Sequence, residues 1–204
     1  MEKQTVLDLF LQSRALLEGH FLLTSGLHSP HYFQCAKVLQ YPKNAEKLCT
    51  EIADRFKAFK IDVVISPAIG GIVVGQEVAR LLGAKSIFAE RKDGVMTLRR
   101  GFDLKQNEKV LVAEDVVTTG GSVKEVIELV ENSGADLIGV GYIVDRSNGK
   151  ISFGIEQFAV LQMDVVTYEP DKCPLCKQGV PIMKPGSRHI YQSPDTAVPV
   201  KQNS

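Results

Sequence analysis

Residues 110–123 read VLVAEDVVTTGGSV. An apolar run ends in two adjacent acids, Glu114 and Asp115. It continues through Val116 and Val117 into Thr118, Thr119, Gly120, Gly121 and Ser122. Glycines let backbone N–H groups approach an anion closely, and a helix N-terminus adds unpaired donors and a partial positive charge. Hydroxyls at 118, 119 and 122 add further donors. Such a turn can cradle a phosphate monoester. Two carboxylates beside it suit vicinal hydroxyls, a metal ion, or both, and a ribose 5-phosphate unit offers hydroxyls and phosphate together. The spacing matches neither G-x-G-x-x-G nor G-x-x-x-x-G-K-[ST], so dinucleotide and P-loop readings fail.

These groups need a strand before them and a helix after them. KVLVAE (109–114) has the β-branched, apolar character of a buried strand. Val123, Val126, Ile127 and Val130 recur at i, i+3, i+4 and i+7, which predicts a helix over about 121–132. The same alternation extends along the chain. IDVVIS (61–66), AKSIFAE (84–90), LIGVGYIV (137–144) and FAVLQMDVVTY (158–168) read as strands. Helices are expected over 5–18, from an Asn44 cap to about Phe59, and from PAIGG (67–71) to about Leu82. Near-continuous apolar strands alternating with amphipathic helices predict an α/β fold, a mostly parallel sheet covered on both faces. Residues 91–108 break the alternation. They are charged and lack a long apolar face, and are expected to form an exposed, mobile hairpin.

Length and composition bound the rest. The 204 residues suffice for one domain. The expected division is an N-terminal hood (1–42), an α/β core (43–168) and a C-terminal extension (169–204). Lys plus Arg equals Asp plus Glu at 24 each, which argues against nucleic acid as a partner. No apolar run approaches the ~18 residues of a membrane span, and MEKQTVLDLF lacks the order of a secretion signal. A cytoplasmic protein is expected, with Cys35, Cys49, Cys173 and Cys176 reduced.

The acid pair followed by VVTTGGS resembles the phosphoribosyl pyrophosphate signature of type I phosphoribosyltransferases. Four further segments resemble the orotate-using members of that family, in the right order. They are GHFLLTSGLHSPHYFQ (19–34), SPAIGGI (66–72), AERK (89–92) and VDRSNG (144–149). The resemblance implies the family fold, with a small N-terminal hood. It also implies a reaction: orotate and phosphoribosyl pyrophosphate yield orotidine 5′-monophosphate and pyrophosphate, with Mg²⁺ bound mainly through substrate oxygens and no dedicated protein metal site. A homodimer with shared active sites is implied too.

Residue by residue, the resemblance places Glu114 and Asp115 on the ribose hydroxyls, and Val116 to Ser122 around the 5-phosphate. Thr118 is also implied to touch orotate. Gly70 and Gly71 belong to a pyrophosphate loop that often carries a non-proline cis peptide. Many family members have lysine where this chain has Gly70. Arg91 and Lys92 are implied to reach the neighbouring subunit's pyrophosphate, with Arg99 and Arg100 as further candidates. No histidine lies in this loop, which counts against a general-acid histidine there. Arg146 matches an arginine facing orotate, and its rigid fork suits carboxylate and carbonyl oxygens together. The alternative for Arg146 is an ion pair with Asp145. Tyr32 and Phe33 either stack beneath the orotate ring or pack in the core. A purine-using transferase shares the ribose-phosphate motif, but Arg146 and the hood segment argue against it. A non-catalytic sensor of phosphoribosyl pyrophosphate ordinarily carries a nucleic-acid-binding module, and no such motif is visible here.

Cys173 and Cys176 form a C-x-x-C pair. A structural zinc needs four ligands, and His189, Cys35 and Cys49 lack the usual spacing to complete one. The pair is expected to be two thiols in a C-terminal loop.

Overall fold

The apolar runs become strands that are buried on both faces. The computed structural model describes residues 1–23, 25–163 and 166–184. In chain order the elements are α1 (Lys3–Gln12), β1 (Leu16–Leu22), β2 (His28–Phe33), α2 (Cys35–Leu39), α3 (Pro42–Phe56), β3 (Val63–Pro67), α4 (Gly71–Leu82), β4 (Lys85–Lys92), β5 (Val95–Leu98), β6 (Lys109–Val117), α5 (Gly121–Ser133), β7 (Asp136–Asp145), β8 (Gln157–Gln162) and α6 (Pro174–Lys177). The main sheet has six strands in the order β5-β4-β3-β6-β7-β8. All neighbours pair in parallel except β4 and β5. β1 and β2 form a separate antiparallel pair.

Strand side chains alternate between faces, and two cores follow. Val64, Leu111 and Ala113 join α1, α3 and α4 on one face. Val63, Ile65, Val110 and Val112 join α5 on the other, where Val123, Val126, Ile127 and Val130 form the predicted stripe. Fully burying one such side chain contributes about 1.5–3 kcal/mol, so this stripe seats α5 against the sheet and fixes its N-terminus beside the end of β6. No helix among the described residues is long and apolar enough to cross a membrane.

Three expectations need correction. The first helix stops at Gln12, because Arg14 turns the chain at φ 53° and Leu16 enters β1. Gly19 therefore lies inside a strand. A Cβ there would stand 2.9 Å from Met183 Cε, so the glycine permits a close approach and does not stop a helix. The cap of α3 is Tyr41, with Pro42 opening the helix; a proline at the first turn forfeits no helical hydrogen bond. The segment 91–108 is a hairpin, but much of it is packed. Asp93 and Gly94 make its turn with positive φ, and β5 pairs with β4. Met96 is buried, and Leu98, Phe102 and Leu104 lie against the α5-side core. The tip at residues 91–95 is exposed throughout, as are residues 99–101 and 105–107.

Candidate active site

β3, β6 and β7 are neighbours running in one direction, so the turns that follow them emerge side by side at the carboxyl edge of the sheet. In parallel α/β sheets that edge is where ligands bind. The first turn contains Gly70 and Gly71, the second runs from Thr118 to Gly120, and the third begins at Arg146.

The first two turns touch through the acid pair. A Cβ on Gly70 would lie 2.5 Å from Asp115 Oδ2. One on Gly71 would lie 2.9 Å from Glu114 Oε1 and 3.1 Å from the Ala113 carbonyl oxygen. The glycines thus let the loop after β3 close onto the two carboxyl groups. The Ala68–Ile69 peptide bond is cis.

Glu114 is 7% exposed. Burial, and then the adjacent Asp115 charge, push its carboxyl well above the usual carboxylate range. Its Oε1 accepts from the Asp115 N–H at 2.9 Å, and Asp115 Oδ1 accepts from the Val116 N–H at 2.9 Å. Neither acid has an ion-pair partner among the described residues. Burial beside a second carboxyl group therefore favours the neutral form of Glu114 more than water does.

After β6, Gly120 has φ 74°, and a Cβ there would press on Ile151 and Phe153 at 3.0 Å. Both the backbone conformation and the space demand glycine. Thr118 and Thr119 are exposed, and α5 presents its first N–H groups without helical partners. The turn encloses a small polar hollow lined by Glu114, Val116, Val117 and residues 118–123. A larger apolar hollow near Ser13, Tyr41 and Lys43 gathers no comparable set of groups.

Arg146 is held beside this hollow by its N–H, which donates to the Val117 carbonyl at 2.8 Å. The expected alternative, an ion pair with Asp145, does not form. Asp145 Oδ1 accepts from Ser147 N and Oγ, each at 2.7 Å, and Oδ2 accepts from Gly149 N at 3.1 Å. Asp145 shapes the turn, while Arg146 makes no ion pair among the described residues and its buried Nε has no hydrogen-bond partner. Burial holds this guanidinium below its ordinary pKa. Burial raises the Tyr32 phenol most, with Arg146 opposing that shift and Asp115 adding to it. Phe33 takes the core alternative. It is 4% exposed and meets Phe10 edge-on at 5.9 Å, so its ring is not free to stack on orotate.

The cations at the β4–β5 turn are in different states. Arg91 donates to Glu125 at 2.8 Å and to the Gly94 carbonyl at 3.0 Å. Arg99 and Arg100 both pair with Glu90, at 2.9 and 3.0 Å. Lys92 is exposed and makes no ion pair among the described residues. The restraining roles of Glu90 and Glu125 carried no sequence signal, because each lies in an ordinary stretch of strand or helix.

An open parallel sheet with an acid pair leading into a glycine–hydroxyl turn, faced by a second glycine turn, defines the class of transferases that hold a phosphorylated ribose. Known proteins agree and narrow it. Residues 37–152 match the phosphoribosyl transferase domain. The chain is 62% identical over 192 residues to an orotate phosphoribosyltransferase of Chlorobium phaeobacteroides, covering 94% of this chain and 100% of the relative. It is 56% identical over 190 residues to that of Caldanaerobacter subterraneus, covering 93% and 100%. The solved orotate phosphoribosyltransferase of Aeropyrum pernix superposes with a TM-score of 0.66 at 23% identity, over 76% of this chain and 92% of that one. An adenine phosphoribosyltransferase from Leishmania tarentolae gives 0.62 at 16% identity, over 80% and 90%. The fold alone thus spans orotate- and adenine-named enzymes, whereas both sequence relatives are orotate phosphoribosyltransferases. The chain belongs to the phosphoribosyltransferase family, in its orotate phosphoribosyltransferase branch.

Proposed function

We infer that the chain transfers the ribose 5-phosphate of phosphoribosyl pyrophosphate to orotate, releasing pyrophosphate, as a step of pyrimidine synthesis. The observation that carries the choice of acceptor is Arg146: a largely buried guanidinium, without a carboxylate partner, at the edge of a ribose-phosphate cradle. A buried cation left unpaired is costly, and an anionic planar acceptor supplies the missing partner. Tyr32 and Thr118 complete the proposed orotate contacts.

Glu114 and Asp115 take the ribose hydroxyls, and the N–H and hydroxyl donors from Val116 to Ser122 take the 5-phosphate. Gly70 and Gly71 present N–H groups to the pyrophosphate. As the bond from the ribose C1 to pyrophosphate lengthens, positive charge grows on the sugar and negative charge on the leaving group. Asp115 stands on the side of the first, while Arg91 and Lys92 answer the second. Charges placed where charge develops stabilise the transition state more than the ground state. The orotate ring nitrogen forms its bond to C1 as the C1–pyrophosphate bond breaks, and the ring N–H proton passes to the departing pyrophosphate or to solvent.

Mg²⁺ fits the donor set, because Asp115 offers an unpaired carboxylate beside the hollow and hard cations favour oxygen ligands. Asp115 and substrate oxygens would hold it, and it would offset charge on the departing pyrophosphate. The proposed assembly is a homodimer in which Arg91 and Lys92 serve the partner's site. The division into hood (1–42), core (43–168) and extension (169–204) is part of the same proposal. So is a cytoplasmic setting, which suits four cysteines standing free of disulfides.

Arg146→Ala tests the acceptor. Losing a charge-assisted contact costs ~1.5–3 kcal/mol, so KM for orotate should rise about ten- to a hundred-fold. KM for phosphoribosyl pyrophosphate should change by less than about threefold on the same scale. Initial-rate kinetics with each substrate varied give both values. An equal rise for the two would remove Arg146 from the orotate pocket.

A further inference from the structure

Apart from the acid pair, four side chains converge that the reaction does not use. His20 lies in β1 and His28 opens β2. Cys173 and Cys176 flank the start of α6. One donor atom from each lies within 4.8 Å of all the others. His20 Nε2 is 2.9 Å from His28 Nδ1, 3.5 Å from Cys173 Sγ and 3.7 Å from Cys176 Sγ. Cys176 Sγ is 3.3 Å from His28 Nδ1.

Hydrogen bonding alone does not satisfy this cluster. His20 Nδ1 stands 2.8 Å from the Val180 carbonyl, which can only accept, so that nitrogen carries the proton. Nε2 is then left with a single lone pair. Three groups crowd that one lone pair. A cation among the four atoms resolves the conflict, since each atom then directs a lone pair inward. The three nitrogen–sulfur distances agree with a tetrahedron. Zinc bonds of ~2.3 Å to sulfur and ~2.0–2.1 Å to nitrogen put neighbouring N and S atoms about 3.5 Å apart. The contact from His20 Nδ1–H to a backbone carbonyl is the outer-shell bond that orients metal-binding histidines.

We propose that His20, His28, Cys173 and Cys176 form a structural zinc site that staples the C-terminal extension to the β1–β2 hairpin. Two thiolates and two imidazoles in tetrahedral array suit zinc, and four protein ligands leave no position for substrate. His20, His28 and Cys173 are 1%, 6% and 0% exposed, while Cys176 is exposed and gives the ion a route in. The extension needs such a staple. Neither its 3-10 turn (Pro170–Lys172) nor α6 contains a buried residue. Its backbone ties to the hairpin are few: Tyr168 exchanges hydrogen bonds with His28, and Met183 bonds to His20 and Leu22. A segment with so little core gains most from a metal crosslink.

The test is metal analysis of the full chain, purified without chelators or a metal-affinity tag. We expect about one zinc per chain in the wild type. Replacing it with Co²⁺ should give thiolate-to-cobalt charge-transfer bands and intense visible bands of tetrahedral cobalt. Cys173→Ser with Cys176→Ser should abolish both signals, whereas Cys35→Ser should keep them. His28→Cys, which exchanges one ligand for another, should retain zinc, so loss of metal is separable from loss of fold. Chelation should lower the melting temperature of the wild type but not of the double serine variant. A wild type that purifies without zinc and shows no cobalt charge transfer after reduction and reconstitution would overturn the site. So would a Cys173–Cys176 disulfide in the freshly isolated protein, because the sulfurs would then serve each other. None of these readouts depends on the proposed transferase reaction.

Discussion

Glu114→Gln combined with Asp115→Asn is expected to cut turnover by about 10²- to 10⁴-fold, taking two charged hydrogen-bonding partners at ~1.5–3 kcal/mol each. The fold should survive, because both replacements keep size and can keep the two backbone bonds that the acids accept. The Glu114→Gln single variant should in fact melt above the wild type at pH 8. Glu114 has a folded-state pKa well above the ordinary value, owing to burial and then to Asp115. Its unfolded-state pKa is ordinary, so the folded chain holds the proton more tightly. That advantage is fully present at low pH. It is lost as pH rises from the ordinary carboxylate range through the raised value, where a buried charge must form. Glutamine never forms it. Each 1 kcal/mol recovered raises the melting temperature by about 2–4 °C in a chain of this size, and the gap should close toward pH 4. Thermal melts of the ligand-free proteins across pH, beside orotate-consumption rates, measure both halves. A double variant with near-normal activity would reject the ribose-binding role. A Glu114→Gln protein no more stable than the wild type at pH 8 would reject the raised Glu114 pKa.

Much of this site was readable because its parts lie close together in sequence. VLVAEDVVTTGGSV contains the strand, both acids, the phosphate turn and the first turn of α5, and 3.6-residue spacing after Gly121 foretold which face of α5 is buried. Arg146 was readable only through resemblance. Its value as an unpaired cation depends on Asp145 being occupied by Ser147 and Gly149, a matter of turn geometry. The hairpin after β4 was misjudged because its apolar residues, Met96, Leu98, Phe102 and Leu104, are too widely scattered among charges to show a face. They become one only when β5 pairs antiparallel with β4 along the sheet edge. The strand expected over 158–168 ends at Gln162, and Tyr168 instead bridges to His28; residues 164 and 165 lie outside the described residues. By sequence, the candidate partners for the C-x-x-C pair are Cys35, Cys49 and His189. The first two are buried elsewhere, beside Asp115 and Val74, and His189 is outside the described residues. The histidines that do approach come from a hairpin about 150 residues earlier, as the 153-residue separation of His20 and Cys173 shows. No local spacing rule spans that distance.

Lys92→Ala and Asp115→Asn, each nearly inactive alone, are expected to recover about a quarter of wild-type activity when mixed under conditions of subunit exchange. The packed part of the hairpin is anchored in its own chain by Met96, and Arg99 and Arg100 are held by Glu90. The projecting tip offers Lys92 unpaired and Arg91 in an exposed pair with Glu125. Releasing such a pair costs only ~0–1 kcal/mol, less than one charge-assisted contact to pyrophosphate returns. Under the proposed two-fold arrangement, each site takes Asp115 from one chain and Lys92 from the other. A mixed dimer then holds one site with both defects and one with neither. Random pairing makes about half the dimers mixed, and half of their sites are intact, hence about a quarter of full activity. Orotate consumption by the exchanged mixture reads the recovery, and native mass spectrometry of differently tagged chains confirms the mixed dimer. Proven heterodimers without recovery would mean that Lys92 reaches the acid pair of its own chain, with the tip folding back over α5 instead of crossing to its neighbour.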